Sequence, residues 1–236
     1  MGTCRGFGCT STDLIDAHII PAGFARLVRG PDHTIKVTMR SAGRAKQQLG
    51  EFDRTILCSA CDNKLGVYDN YALGALSSFS RKHTMTPQGI AELAVDGDKI
   101  AKFVLAVLWR ASISSREAFS AVRLGPYEDM ARDVLFDVRL LSGFRQFSVF
   151  FDRYRSKKID VENFYLSIGR IRVEGLNAYM FSLAGFRITA VLDARNLPSG
   201  LSALAVNGSS TLRTPMVELE TTTEFGTMKR MIDGSA

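Results

Sequence analysis

All four cysteines of this chain fall in two pairs, Cys4/Cys9 and Cys58/Cys61, and His18 lies between the pairs in the segment LIDAHIIP. Thiolates are soft donors that hold a tetrahedral ion through Zn–S bonds of about 2.3 Å, and four of them close its coordination shell. Cys58-Ser-Ala-Cys61 has the C-x2-C spacing that sets two thiolates on one tight turn. Cys4 and Cys9 enclose four residues, among them Gly6 and Gly8, which let the backbone wrap a metal without steric cost. Two disulfides or four inert core thiols are the alternatives. Disulfides belong to an oxidising compartment, and MGTCRGFG has no apolar export segment, so the pattern predicts a Zn2+ site in a cytoplasmic protein.

Charge adds a second theme. The 236 residues carry a net charge of +6, which favours an anionic partner but discriminates weakly by itself. In the stretch between His18 and the second cysteine pair, Arg26, Arg29, Lys36, Arg40, Arg44, Lys46 and Arg54 stand against Asp32, Glu51 and Asp53, a surplus of four. Such a stretch can hold phosphates beside His18, or it can be a solvated loop. His33 and His83 read as surface residues, His33 within reach of phosphate. In DRYRSKK, Arg153, Arg155, Lys157 and Lys158 alternate with Tyr154, a mix that grips phosphate and stacks a base, or that merely ends a hairpin in solvent.

The elements that must position these residues follow from periodicity. DLIDAHIIPAGF and HTIKVTMRS read as strands, the first stopped at Pro21-Ala22-Gly23. After Cys61, the spacing of Leu65, Tyr68, Tyr71, Ala72 and Leu76 predicts a helix leaving the metal site directly, although Gly66 and Gly74 weaken it. Thr86-Pro87 and Gly89 mark residues 84–94 as a connector. DKIAKFVLAVLWRASISS predicts a buried helix, and GPYEDMARDVLFD a second one opened by Pro126 with Glu128 and Asp129 at its positive end. FRQFSVFFDRYR, NFYLSIGRIRV and NAYMFSLAGFRITAVLDA switch to strand composition and predict three or more antiparallel strands, whereas the last thirty or so residues read as turn-rich and loosely ordered. No apolar run approaches the roughly 20 residues that span a bilayer, so no membrane partner is expected. The larger half has no phosphate-loop spacing, no dinucleotide fingerprint and no nucleophile elbow, and it leaves a small-molecule site of its own open.

Residues 1 to about 75 resemble the HNH, or ββα-metal, endonuclease superfamily, in the branch stapled by a treble-clef zinc site. AHIIP supplies His18, Asp53 lies five residues before Cys58, Asp62 follows Cys61, and ILCSACDNKLGVYD is similar to the knuckle-and-helix element of that group. The periodicity of the remainder predicts the connector at 84–94 and an α+β domain over 95–236 of two helices and then antiparallel strands, which makes the whole an α+β protein. The resemblance implies a treble-clef zinc module over residues 1–83. It implies a structural zinc on Cys4, Cys9, Cys58 and Cys61. His18 would be the general base, Asp53 its orienter, and Asp62, joined by Asp69 further along the helix, a ligand for catalytic Mg2+ or Mn2+. The partner would be nucleic acid, DNA more than RNA. Two positions depart from the family pattern: Ala17 stands where many members keep an acid, and Asp53 stands where they keep Asn. Either Asp62 and Asp69 complete the metal site, or the module binds nucleic acid or protein without catalysis.

Overall fold

A computed structural model describes residues 2–28, 36–37, 52–226 and 229 of the chain. Strand β1 (Ala17–His18) is shorter than its β-branched surroundings suggest, because helix α1 (Ala22–Val28) begins directly after Pro21. Pro cannot extend a ladder but is well placed at a helix start. Strand β2 (Lys36–Val37) pairs in parallel with a strand far along the chain, and β3 (Phe52–Asp53) pairs antiparallel with β1. Cys58 then caps helix α2 (Ser59–Lys82), whose buried side, Cys61, Leu65, Tyr68, Ala72, Leu76 and Phe79, follows helical spacing throughout. Gly66 and Gly74 face open space, so α2 passes both without a break.

The expected connector is part of the sheet. Strand β4 (Thr84–Met85) and strand β5 (Ile90–Ala94) form a hairpin whose turn contains Pro87 and Gly89, and β5 alternates buried Ala91 and Leu93 with more open neighbours. The turn signals were those of a hairpin between strands rather than of a boundary between domains.

Helix α3 (Gly97–Ile113) is buried on every side from Phe103 to Ser112, as its near-continuous apolar sequence requires. Asp96 caps it by accepting a bond from the Lys99 amide at 3.1 Å. A Cβ at Gly97 would stand 2.0 Å from the Val206 carbonyl oxygen, so only glycine permits that approach. Helix α4 (Glu128–Leu135) packs on α3 with Ala131, Val134 and Leu135.

Strands β6 (Phe147–Arg155), β7 (Tyr165–Val173), β8 (Leu176–Leu183) and β9 (Phe186–Leu192) follow. The β7–β8 and β8–β9 turns place Glu174-Gly175 and Ala184-Gly185 at positive φ, the left-handed pair that a two-residue hairpin loop needs. After a short helix α5 (Ser199–Ser202) comes strand β10 (Thr211–Glu218). Far from being loose, β10 lies inside the eight-stranded sheet, whose order is β2-β7-β8-β9-β6-β10-β5-β4. Thr211–Pro215 pair antiparallel with β5, and Met216–Glu218 pair in parallel with β6. Polar residues crowd its start, yet Leu212 and Thr214 point into the core and supply the buried alternation.

One apolar core runs from Cys4 to Leu212, so the cysteine-bearing segment and the sheet are not separate hydrophobic units. Phe24 of α1 stacks on Phe103 of α3 at 5.1 Å, which is one of the joints. DRYRSKK divides between packing and solvent, with Arg155, Lys157 and Lys158 exposed. Arg153 is buried beneath the rings of Phe79 and Phe186 at 5.6 and 4.7 Å, and Tyr154 is also buried. Among the described residues no helix is long and apolar enough to cross a membrane.

Candidate metal centre and adjoining polar site

The four cysteines come together from both ends of the N-terminal segment. Tetrahedral bonds of about 2.3 Å set sulfurs roughly 3.8 Å apart. The Cys9 and Cys58 sulfurs are 3.7 Å apart, and all four lie within 4.8 Å of one another, with none in a disulfide. The loop before them is shaped to the cluster: a Cβ at Gly6 would stand 2.4 Å from the Cys61 sulfur, and Gly8 has φ of +63°. Backbone amides of Gly6 and Cys58 donate to the Cys4 sulfur at 3.4 and 3.3 Å, stabilising negative charge there. Burial raises the Cys4 and Cys61 thiols, whereas the Cys61 amide lowers Cys58 to about 7. This cluster could hold a metal ion such as zinc, which would displace the remaining thiol protons on binding.

Beside it, pairing of Ala17 with Asp53 and of His18 with Phe52 sorts the side chains of the β1–β3 ribbon. Directly opposed residues share a face and successive residues alternate, so His18 and Phe52 lie on one face and Ala17 and Asp53 on the other. The His18 and Phe52 rings meet edge to face at 6.2 Å. Asp62, in the first turn of α2, is half-buried and close enough to His18 to feel its charge. Burial raises the Asp62 carboxyl above the ordinary range, Asp69 reinforces the rise, and Arg110 and His18 oppose it.

Asp53 does not orient His18. It is buried on the far face, where its two oxygens take five hydrogen bonds: from the amide and hydroxyl of Thr55, the hydroxyl of Ser114, and the amide and hydroxyl of Ser115. The carboxylate thus ties the β1–β3 ribbon to the end of α3. The same contacts demand a carboxylate at this position. The Thr55 amide donates to one oxygen and the Ser115 amide to the other, both at 2.8 Å, so the NH2 of an asparagine would confront a backbone N–H. Asp53→Asn is expected to cost about 2–3 kcal/mol and lower Tm by roughly 5–10 °C in a thermal melt. Burial pushes the Asp53 carboxyl up, but these hydrogen bonds outweigh it and hold it below its ordinary value. Its contribution to stability is therefore complete above the unfolded pKa of about 3.9 and is lost as pH falls through the lower folded value.

Asp69 is likewise diverted from the expected metal site. Arg110 of α3 grips both of its oxygens at 2.8 and 2.9 Å, and both residues are buried. A fork held this way satisfies the Asp69 carboxylate. Arg110 is the residue that sequence reasoning missed; an arginine directly after the apolar run of residues 103–109 was the available signal.

Of the basic residues, Arg26 is exposed on α1, and Arg54 is exposed, paired with Asp16 at 2.5 Å and set over the Phe52 ring at 5.4 Å. Lys36 is fixed in β2 by its backbone. Arg29, Arg40, Arg44 and Lys46 lie outside the described residues, as does His33. His83 ends α2, its ring stacked on Phe79 at 4.8 Å and its Nδ1 2.8 Å from the Phe79 carbonyl oxygen. No protein-family model, no curated protein and no solved structure matches this chain.

Proposed function

We propose that this chain is a metal-dependent endonuclease of HNH type. Its zinc, held by Cys4, Cys9, Cys58 and Cys61 in a treble clef, is structural, because four thiolates leave no open coordination position. What supports the reading is that Asp62, in the first turn of the helix and next to Cys61, feels the charge of His18 on the strand ribbon. His18 takes the proton of the attacking water as general base, and its place on a paired strand restricts the ring to one side of the ribbon. Asp62 is the residue that would hold Mg2+ or Mn2+. One carboxylate suits a hard cation that keeps most of its waters. Such an ion, when bound, neutralises the scissile phosphate and stabilises the departing oxygen. Arg26 and Arg54 supply exposed positive charge for the phosphate backbone, with DNA the favoured substrate.

A second reading, a non-catalytic zinc module that binds nucleic acid or a protein, draws on Ala17 and on the capture of Asp69 by Arg110. Incubation of the purified protein with supercoiled plasmid and single-stranded RNA in Mg2+ or Mn2+ separates the two. Nicking that a chelator stops is expected. Salt-sensitive binding with no cleavage of either substrate would leave only the second reading.

A further inference from the structure

Strand β6 turns Phe147, Val149 and Phe151 toward the core that holds α3, so Phe150 and Asp152 stand on the opposite face of the sheet. Register sets them against Thr189 and Arg187 of β9. These four residues floor a cavity of about 440 Å³, walled in part by Met180, Leu201 and Leu204. That volume falls within the range of small-ligand sites, which combine mostly apolar walls with a few convergent polar groups.

Charge is balanced within the lining. Arg187 Nε donates to Asp152 Oδ2 at 2.9 Å and its Nη1 to Glu224 Oε1 at 3.4 Å, while exposed Arg172 brings a second cation to the rim. Two carboxylates thus stand against two guanidiniums, and an ion of either sign would give up its hydration without meeting an unmatched counter-charge. Hydrogen-bonding capacity is not balanced. Thr189 is only 8% exposed, and its hydroxyl has no hydrogen-bond partner among the described residues. Arg187 Nη2, two positions away on the same face, has none among them either, and a guanidinium can only donate. A buried donor without an acceptor is costly, so a neutral acceptor entering the cavity would meet a need that the protein leaves open.

We propose that this cavity binds a small neutral molecule with an apolar ring body and a carbonyl group, the ring against Phe150, Leu201 and Leu204 and the carbonyl oxygen accepting from the Thr189 hydroxyl. The site uses no residue of the nuclease reading and stands apart from it. Prodan, a neutral naphthyl ketone whose emission moves to the blue in apolar surroundings, is a suitable probe, and dimethylaminonaphthalene is its ketone-free counterpart. Titration of the full zinc-loaded chain into prodan is expected to give saturable, blue-shifted emission with Kd below about 100 μM. Neutral acetonaphthone is expected to displace prodan at least about tenfold better than naphthoate or naphthylmethylamine, which carry a charge of either sign on the same ring. Thr189→Val keeps the shape of the side chain and removes the hydroxyl; it is expected to weaken prodan by about three- to tenfold and to leave dimethylaminonaphthalene unchanged. Leu204→Trp, on the partly open wall, is expected to abolish binding by filling the space while leaving the circular dichroism spectrum unchanged. Absence of saturable prodan binding would overturn the proposal. So would displacement by either charged naphthalene as strong as that by acetonaphthone, a Thr189→Val change that does not distinguish the two probes, or prodan binding that Leu204→Trp leaves intact.

Discussion

Protein purified under reducing conditions is expected to carry about one zinc per chain, and Cys61→Ser to carry none and to melt at least about 10 °C lower. Cys61 is buried in the first turn of α2, with its sulfur against Gly6. Losing it leaves three thiols and an open loop where four closed a shell. Structural zinc contributes on the order of 10 kcal/mol in small modules, comparable to the whole net stability of a typical domain. Damage would not stay local, because Ile19, Phe24, Ile56 and Leu57 beside the cluster belong to the same core as α3 and the sheet. Gly6→Ala is the geometric companion: its added methyl stands 2.4 Å from the Cys61 sulfur, so zinc content should fall although every ligand is present. A melting temperature unmoved by chelator or by Cys61→Ser would remove the metal centre from the account.

The parts of this centre that were legible in sequence are the local ones. C-x2-C spacing, the glycines of the first loop and the helical repeat from Leu65 to Leu76 act over a few residues, and each matches the element found. What escaped depends on contacts between distant residues. Asp53 looked like a partner for His18, five residues ahead of the knuckle, but Ser114 and Ser115, some sixty residues on, claim its oxygens. Asp69 looked like a ligand until Arg110 arrived from another helix. Strand β10 read as loose because its polar start hid an alternation that only its neighbours β5 and β6 make meaningful. Arg153 read as a phosphate contact or part of a solvated hairpin end because nothing near it in sequence announces the rings of Phe79 and Phe186.

On the endonuclease reading, His18→Ala is expected to slow plasmid nicking by about 10²- to 10⁴-fold, the usual worth of a positioned general base, under single-turnover conditions at saturating Mn2+. The substitution removes a half-buried ring whose aromatic neighbour is Phe52, so zinc content should stay unchanged and DNA binding, carried by exposed Arg26 and Arg54, should persist. Asp62→Asn should fail differently. It keeps the shape of the side chain but removes the charge, so far more Mn2+ should be needed to reach a given rate, whereas His18→Ala should leave that requirement nearly unchanged. Asp53→Asn provides the contrast that tests the geometry: its carboxylate lies across the ribbon from His18, so the variant should lose stability yet retain most of its cleavage rate below its melting temperature. Wild-type nicking by His18→Ala would end the assignment of the base. Loss of chemistry in a well-folded Asp53→Asn protein would mean that the two faces of the ribbon are coupled in a way their strand register does not suggest.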